Sequence, residues 1–256
     1  MPSALVTGAT AGIGAEFARQ LAAAGNDLVL VARDAVRLES SRAALSDEFG
    51  VGVEILAGDL CTDAGCDAVA ARITDTQQPV DVLVNNAGFG MYKRFGVAEL
   101  ADEERQLDLN VRAVLRLTHA AVRAMTGRGS GQIINISSVA GFVPRGGNAT
   151  YSASKAWVTM FSEALAVQLA GSGVSITAVC PGFTRTEFHD RANADMAHVP
   201  DRMWLDVRTV VSQGLADAAK GKPVSVPGRQ YKLLVSATRT IPRPLLRKIM
   251  ARRGNR

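Results

Sequence analysis

Three cysteines in 256 residues, Cys61, Cys66 and Cys180, leave little room for a disulfide framework. Their number is odd and no CxxC pair occurs, so they read as reduced thiols in a cytoplasmic setting, with no zinc site. Histidine is equally scarce. His119, His189 and His198 show no ligand spacing, and no metal is expected. No run approaches the roughly 20 apolar residues needed to cross a bilayer. The short Ala4-Leu5-Val6 run, ended at once by Thr7-Gly8, is too brief for a signal peptide. Linkers and low-complexity stretches are also missing. With 47% hydrophobic and 21% charged residues, the composition fits one soluble folded domain.

Charge is unevenly placed. The net charge is +5, yet residues 228–256 hold nine Lys/Arg and no Asp/Glu, which leaves 20 basic against 24 acidic residues in the rest. We therefore divide the chain into a catalytic domain, 1–227, and a basic C-terminal extension, 228–256. The extension lacks interleaved aromatics, so nucleic acid is not an expected partner.

Short apolar runs alternate with helical patterns. Ala4–Val6, Leu28–Val31, Val53–Leu56, Val80–Val84, Gln132–Ile136, Val174–Val179 and Pro223–Val226 read as strands. They are continuously apolar, as in a parallel sheet covered on both faces. Strand–helix alternation makes this an α/β, Rossmann-type, doubly wound parallel sheet. One long helix is expected from about Asp102 to Met125. A second begins near Asn148, a suitable N-cap, with an apolar stripe of Ala153, Ala156, Trp157, Met160, Phe161, Ala164, Leu165 and Leu169. That stripe reads as core packing or as a subunit interface.

After the first strand comes Gly8-Ala9-Thr10-Ala11-Gly12-Ile13-Gly14. Glycine is required where backbone turns sharply or approaches a pyrophosphate, and a helix N-terminus offers free N–H groups to phosphate. At the end of the second strand, Ala32-Arg33 supplies a cation where an NAD-selective fold places a carboxylate. This favours NADP over NAD, although NAD stays possible. Asp34 follows at the start of the next helix, where its side chain suits a cap. Further on, Tyr151 and Lys155 stand at i and i+4 on one helical face, thirteen residues after Ser138. An ammonium near a phenol pulls its pKa toward neutrality, which suits acid–base work.

Together these features resemble the short-chain dehydrogenase/reductase family, in its compact single-domain branch, over roughly residues 3–226. The matching residues are Thr7, Gly8, Gly12 and Gly14, Asp59-Leu60, Asn85-Asn86-Ala87-Gly88, Asn110, Ser138, Tyr151, Lys155 and Pro181-Gly182-x-Thr184-x-Thr186. The resemblance implies that Asp59 accepts from the adenine amino group with Leu60 beside the ring. Asn86, Ala87 and Gly88 would line the adenosine ribose, Lys155 would hold the other ribose, and Pro181, Gly182, Thr184 and Thr186 would close over the nicotinamide. Tyr151 would be the proton donor, with Ser138 on the substrate oxygen and Asn110 supporting a water relay. Ser137 competes for the serine role, but family spacing favours Ser138.

The implied reaction interconverts a carbonyl and a secondary alcohol. Phe89, Met91, Phe142, Val143, Phe188, Met196 and Trp204 suggest an apolar or lipid-like ketone, of 3-oxoacyl or steroid type, or else form lid packing. Arg145 and Arg185 are candidates for binding an acidic group, and His189 and His198 for touching ligand, whereas His119 reads as structural. Alternatives are a 3-oxoacyl-carrier-protein reductase, disfavoured by the C-terminus, and a non-catalytic dinucleotide sensor, disfavoured by the presence of Tyr151 and Lys155. A homodimer or homotetramer is expected. In the extension, Leu245, Leu246, Ile249 and Met250 share one side of a basic helix, which either packs on the protein or makes weak contact with a membrane surface.

Overall fold

The computed structural model describes residues 1–254, except Tyr92, Arg145, Gly146, Asn148, 189–191, 193–195, 197 and 198, with backbone alone at 239, 249 and 251–254. The proposed cap Asn148 and the ligand candidates Arg145, His189 and His198 therefore lie outside the described residues.

Seven parallel strands form one sheet: β1 (Ser3–Thr7), β2 (Asp27–Ala32), β3 (Val53–Ala57), β4 (Val82–Asn85), β5 (Gly131–Ile136), β6 (Val174–Val179) and β7 (Val224–Ser225). Their order is β3-β2-β1-β4-β5-β6-β7. The chain starts at the centre, winds outward through β3, and restarts beside β1 with β4, which puts the switch point where β1 and β4 end. Successive strand residues face opposite sides, and both sides are apolar. Val6, Leu30 and Ile134 pack with Phe17 of α1 (Gly12–Ala23) and Leu38 of α2 (Ala35–Phe49). Leu5, Val29 and Leu83 pack with Val69 of α3 (Asp63–Ile73) and Leu117 of α5 (Val114–Arg128). This is the double burial that continuous apolar strands imply.

Two helices depart from the sequence expectation. The long one is α4 (Leu100–Leu107), a π-helical stretch Asp108–Ala113, and α5, so it is interrupted at Asn110. In α6 (Ala149–Gln168) the buried residues are Ser152, Ser154, Lys155, Val158, Thr159 and Ser162. The apolar stripe lies largely outward: Met160 is 68% exposed, and Trp157 stacks on Phe161 with ring centroids 4.5 Å apart. The reason is polar matching. Asn135 at the end of β5 donates to Ser162 Oγ (3.0 Å) and accepts from Asn85 (2.9 Å), while Ser137 Oγ donates to the Lys155 carbonyl (2.7 Å). A buried polar strand end needs a helix face that can answer it.

After α7 (Val207–Ala219) and β7, the extension forms α8 (Arg229–Thr240) and α9 (Arg243–Gly254). Tyr231, Val235 and Leu246 are buried, while Leu245 is 50% exposed. Tyr231 joins Leu205 and Val210 in a small apolar cluster beside Ile13, Val139 and Phe183.

Gly141, in the short turn Val139–Phe142, lies flat on α6: a Cβ there would come 2.7 Å from the Ala156 nitrogen and 2.8 Å from the Lys155 carbonyl carbon. Both are backbone atoms that cannot swing away. Gly141→Ala is expected to cost about 1–3 kcal/mol, read as a lowered urea midpoint at unchanged slope.

Candidate active site

The ends of β1 and β4 are tied together by side chains. Thr7 Oγ1 accepts from the Asn86 and Ala87 amides (2.9 and 3.0 Å) and donates to the Val84 carbonyl (3.3 Å). Asn86 Nδ2 donates to the Thr7 and Gly8 carbonyls (2.9 and 3.2 Å). Gly8 has φ +65°, and a Cβ on it would stand 2.8 Å from Asn86 Nδ2. At Gly14 a Cβ would collide with the Gly8 carbonyl, so neither of these two positions admits a side chain. Gly12, at φ +54°, faces Thr186, with 3.0 Å from its ideal Cβ to the Thr186 Cβ. Ala11 precedes α1 without any side-chain cap, so among the described residues the first amides of α1, following Thr10 and including Ile13, have no capping side chain. The cradle fits a pyrophosphate: glycines clear the space and helix amides face it.

Around β2 and β3, Arg33 is exposed and makes no ion pair among the described residues. Asp34 caps α2, accepting from the Arg37 amide at 3.0 Å. Asp59 accepts from the Cys61 amide (3.0 Å) and pairs with Arg105 (2.8 Å). Burial pushes its carboxyl up, but the Cys61 hydrogen bonds and the charges of Arg105 and Arg33 outweigh that and hold it below its ordinary value. Leu60 beside it is buried. Arg105 was not foreseen: it lies 46 residues away, on α4, with no local signal. The same holds for the Arg37–Glu187 pair (2.9 Å), which ties α2 to the segment after β6.

At the centre, Lys155 is fully buried and donates to the Ile136 carbonyl (2.9 Å), with its Nζ 5.7 Å from the Tyr151 ring centroid. Burial lowers the amine from 10.5 to about 8. Gly88 presses on this group: a Cβ would lie 3.0 Å from Asn110 Oδ1 and 3.5 Å from Lys155 Nζ. Asn110, wholly buried in the π-helical stretch, accepts from the Phe89 amide (3.1 Å) and donates to the Phe89 carbonyl (2.9 Å). Ser137 spends its hydroxyl on Lys155 and Thr159, whereas Ser138 is partly exposed and its Oγ accepts from the Ala140 amide (3.1 Å), with no acceptor for its proton among the described residues. Geometry therefore separates the two serines. Of the apolar candidates, Phe188 has its ring 5.9 Å from that of Tyr151.

The segment after β6 completes the enclosure. Pro181 accepts from the Val139 amide (3.0 Å), and Thr184 Oγ1 donates to the Gly182 carbonyl (3.0 Å). Arg185 pairs with Asp201 (2.8 Å) and lies over Trp204. Gly182 carries the ring of Tyr231 flat against it, where a Cβ would overlap the ring. Nothing local in the sequence places Tyr231, 49 residues further along the chain, against Gly182.

The family described as short chain dehydrogenase matches residues 2–197. A short-chain dehydrogenase from Sphingobium yanoikuyae, solved in complex with NADPH, is 37% identical, covers 93% of this chain and 94% of that chain, and superposes with a TM-score of 0.86. The bulky-bulky ketone specific alcohol dehydrogenase from Comamonas testosteroni is 32% identical, with 93% and 92% covered and a TM-score of 0.81. Sulfoacetaldehyde reductase 2 from Chromohalobacter salexigens is 34% identical over 83% of this chain and 84% of that protein. The chain belongs to the short-chain dehydrogenase family. Its activity is that of an NAD(P)-dependent oxidoreductase acting on CH–OH groups.

The lowered Lys155 pKa carries a stability consequence. Below pH 8 folding confines a charged amine that the unfolded chain would solvate, a penalty of about 3 kcal/mol by the size of the shift. The penalty fades as pH rises from 8 to 10.5, where the unfolded lysine also loses its proton. Lys155→Met removes it but orphans the Ile136 carbonyl, at a cost of about 1–2 kcal/mol. The cofactor-free variant is expected to be about 1–2 kcal/mol more stable than wild type at pH 7, with the gap closing or reversing by pH 10 in urea titrations. A wild type more stable than the variant at pH 7 overturns this.

Proposed function

We propose that the protein uses NADP(H) to interconvert an apolar, bulky ketone and its secondary alcohol. The observation that carries the cofactor reading is Arg33, unpaired among the described residues at the end of β2, next to Ala32 rather than a carboxylate. The NADPH-bound relative from Sphingobium supports it. Gly8, Thr10, Gly12, Ile13 and Gly14 would hold the pyrophosphate, and Asp59 and Leu60 the adenine. Asn86, Ala87 and Gly88 would line the ribose nearby, and Pro181, Gly182, Thr184 and Thr186 would cover the nicotinamide. When bound, the dinucleotide supplies or accepts the hydride.

The chain's own residues handle the proton and the oxygen. Ser138 donates to the carbonyl oxygen and fixes its position. Tyr151 gives that oxygen its proton in reduction and removes it in oxidation. Lys155, cationic below pH 8, lowers the cost of the Tyr151 phenolate. Asn110 holds the Phe89 backbone still and supports a water on the way from Lys155 to solvent. Phe188 beside Tyr151 supports an apolar substrate, as does the bulky-ketone relative from Comamonas.

A homo-oligomer belongs to the same reading, supported by the outward face of α6 with Met160 and the Trp157–Phe161 stack. Met160→Glu is expected to shift the species measured by light scattering toward monomer, whereas a wild-type monomer at micromolar concentration sinks this part.

For the activity, kcat/KM is measured with NADPH and NADH over ketones of graded size. Wild type is expected to prefer NADPH, and Arg33→Ala to lose about 1.5–3 kcal/mol of that preference. Tyr151→Phe should abolish turnover with dinucleotide binding nearly intact. An NADH preference in wild type, or a few per cent of kcat surviving in Tyr151→Phe, rejects the corresponding assignment.

A further inference from the structure

The C-terminal extension reaches the candidate site through one side chain. Tyr231, on the first turn of α8, is 1% exposed and makes two directed contacts through its hydroxyl. The Phe183 amide donates to it at 3.0 Å, and it donates to the Met203 carbonyl at 2.6 Å. These two backbone groups belong to the outgoing and returning limbs of the segment between β6 and α7. The limbs also pair directly, the Leu205 amide donating to the Phe183 carbonyl (2.8 Å) and the Arg185 amide to the Leu205 carbonyl (3.2 Å). The ring meanwhile covers Gly182, where no side chain would fit. Its apolar neighbours come from several elements: Leu205 and Val210, with Ile13 of the glycine turn, Val139 next to Ser138, and Phe183 and Met203 packed around.

We propose that Tyr231 is a positioning residue for the reaction, fixing the Gly182–Thr186 segment over the nicotinamide end of the dinucleotide; this rests on the function proposed above. Its hydroxyl bridges the two limbs and its ring sets the height of Gly182. Thr186, at the far end of that segment, rests on Gly12 of the pyrophosphate turn. The segment is therefore anchored at one end by the glycine turn and at the other by the extension. Loss of the hydroxyl removes its bonds to the Phe183 amide and the Met203 carbonyl while the ring stays in place, so the segment loosens without a cavity forming.

The test compares wild type with Tyr231→Phe and, as a packing control, Val235→Ala one turn along the same buried face. Three quantities are read: amide exchange across 182–186, dissociation constants for NADPH and for 2′,5′-ADP, which lacks the nicotinamide half, and kcat for a turned-over ketone. In Tyr231→Phe we expect faster exchange at Phe183, about tenfold lower kcat, and several-fold weaker NADPH binding with 2′,5′-ADP binding unchanged. Val235→Ala is expected to lower the melting temperature and leave kcat and the ratio of the two dissociation constants as in wild type. Equal losses for NADPH and 2′,5′-ADP, unchanged exchange at Phe183, or the same kcat loss in Val235→Ala overturn the proposal. Failure of Tyr231→Phe to fold also overturns it, because a hydroxyl confined to positioning does not hold up the fold. A wild type that works with NADH instead rejects the cofactor assignment alone, and the same comparison then runs with NADH and ADP.

Discussion

The Lys155 amine is buried and donates to the Ile136 carbonyl, and much of the surrounding architecture follows from that placement. A buried ammonium is tolerated only where the neighbouring backbone is rigid and polar. Here α6 turns its small hydroxyl residues inward, β5 ends in Asn135 and Ser137 to meet them, and Gly141 lets the following turn lie directly on the α6 backbone. Gly88 and Asn110 close the other side. Each of these residues is small or amide-bearing because a bulkier apolar one would occupy the space or leave a polar atom unanswered.

Features of local chemistry were legible in the sequence. The glycine turn, the Asp34 cap and the shared face of Tyr151 and Lys155 depend on residues a few positions apart, and the structure has them as expected. The strands were legible too, with β4 displaced by one or two residues toward Asn85. The orientation of α6 was left open, because periodicity finds the apolar stripe without saying whether core or interface covers it, and the polar end of β5 turns the other face inward. The π-helical stretch at Asn110 also escaped, since it reflects a contact with Phe89 rather than a propensity. Pairings across long separations, Arg105 with Asp59 and Tyr231 with Phe183, leave no periodic trace at all.

The ion pair between Arg37 and Glu187 joins α2, beside the cation at the end of β2, to the segment that carries Thr186. Both partners are about half exposed, so the pair adds little to stability. It does connect the two ends of the cradle across 150 residues of chain.

Dependence on Tyr231 also has a bearing on time. Chains grow from the N-terminus, and the strands, the glycine turn and the Tyr151–Lys155 face are all made before α8 emerges. A nascent chain can thus assemble most of its sheet while the roof over Gly182 still lacks its tyrosine. Protein synthesis itself imposes an order of events: the scaffold forms first, and the enclosure is completed by one of the later helices to leave the ribosome.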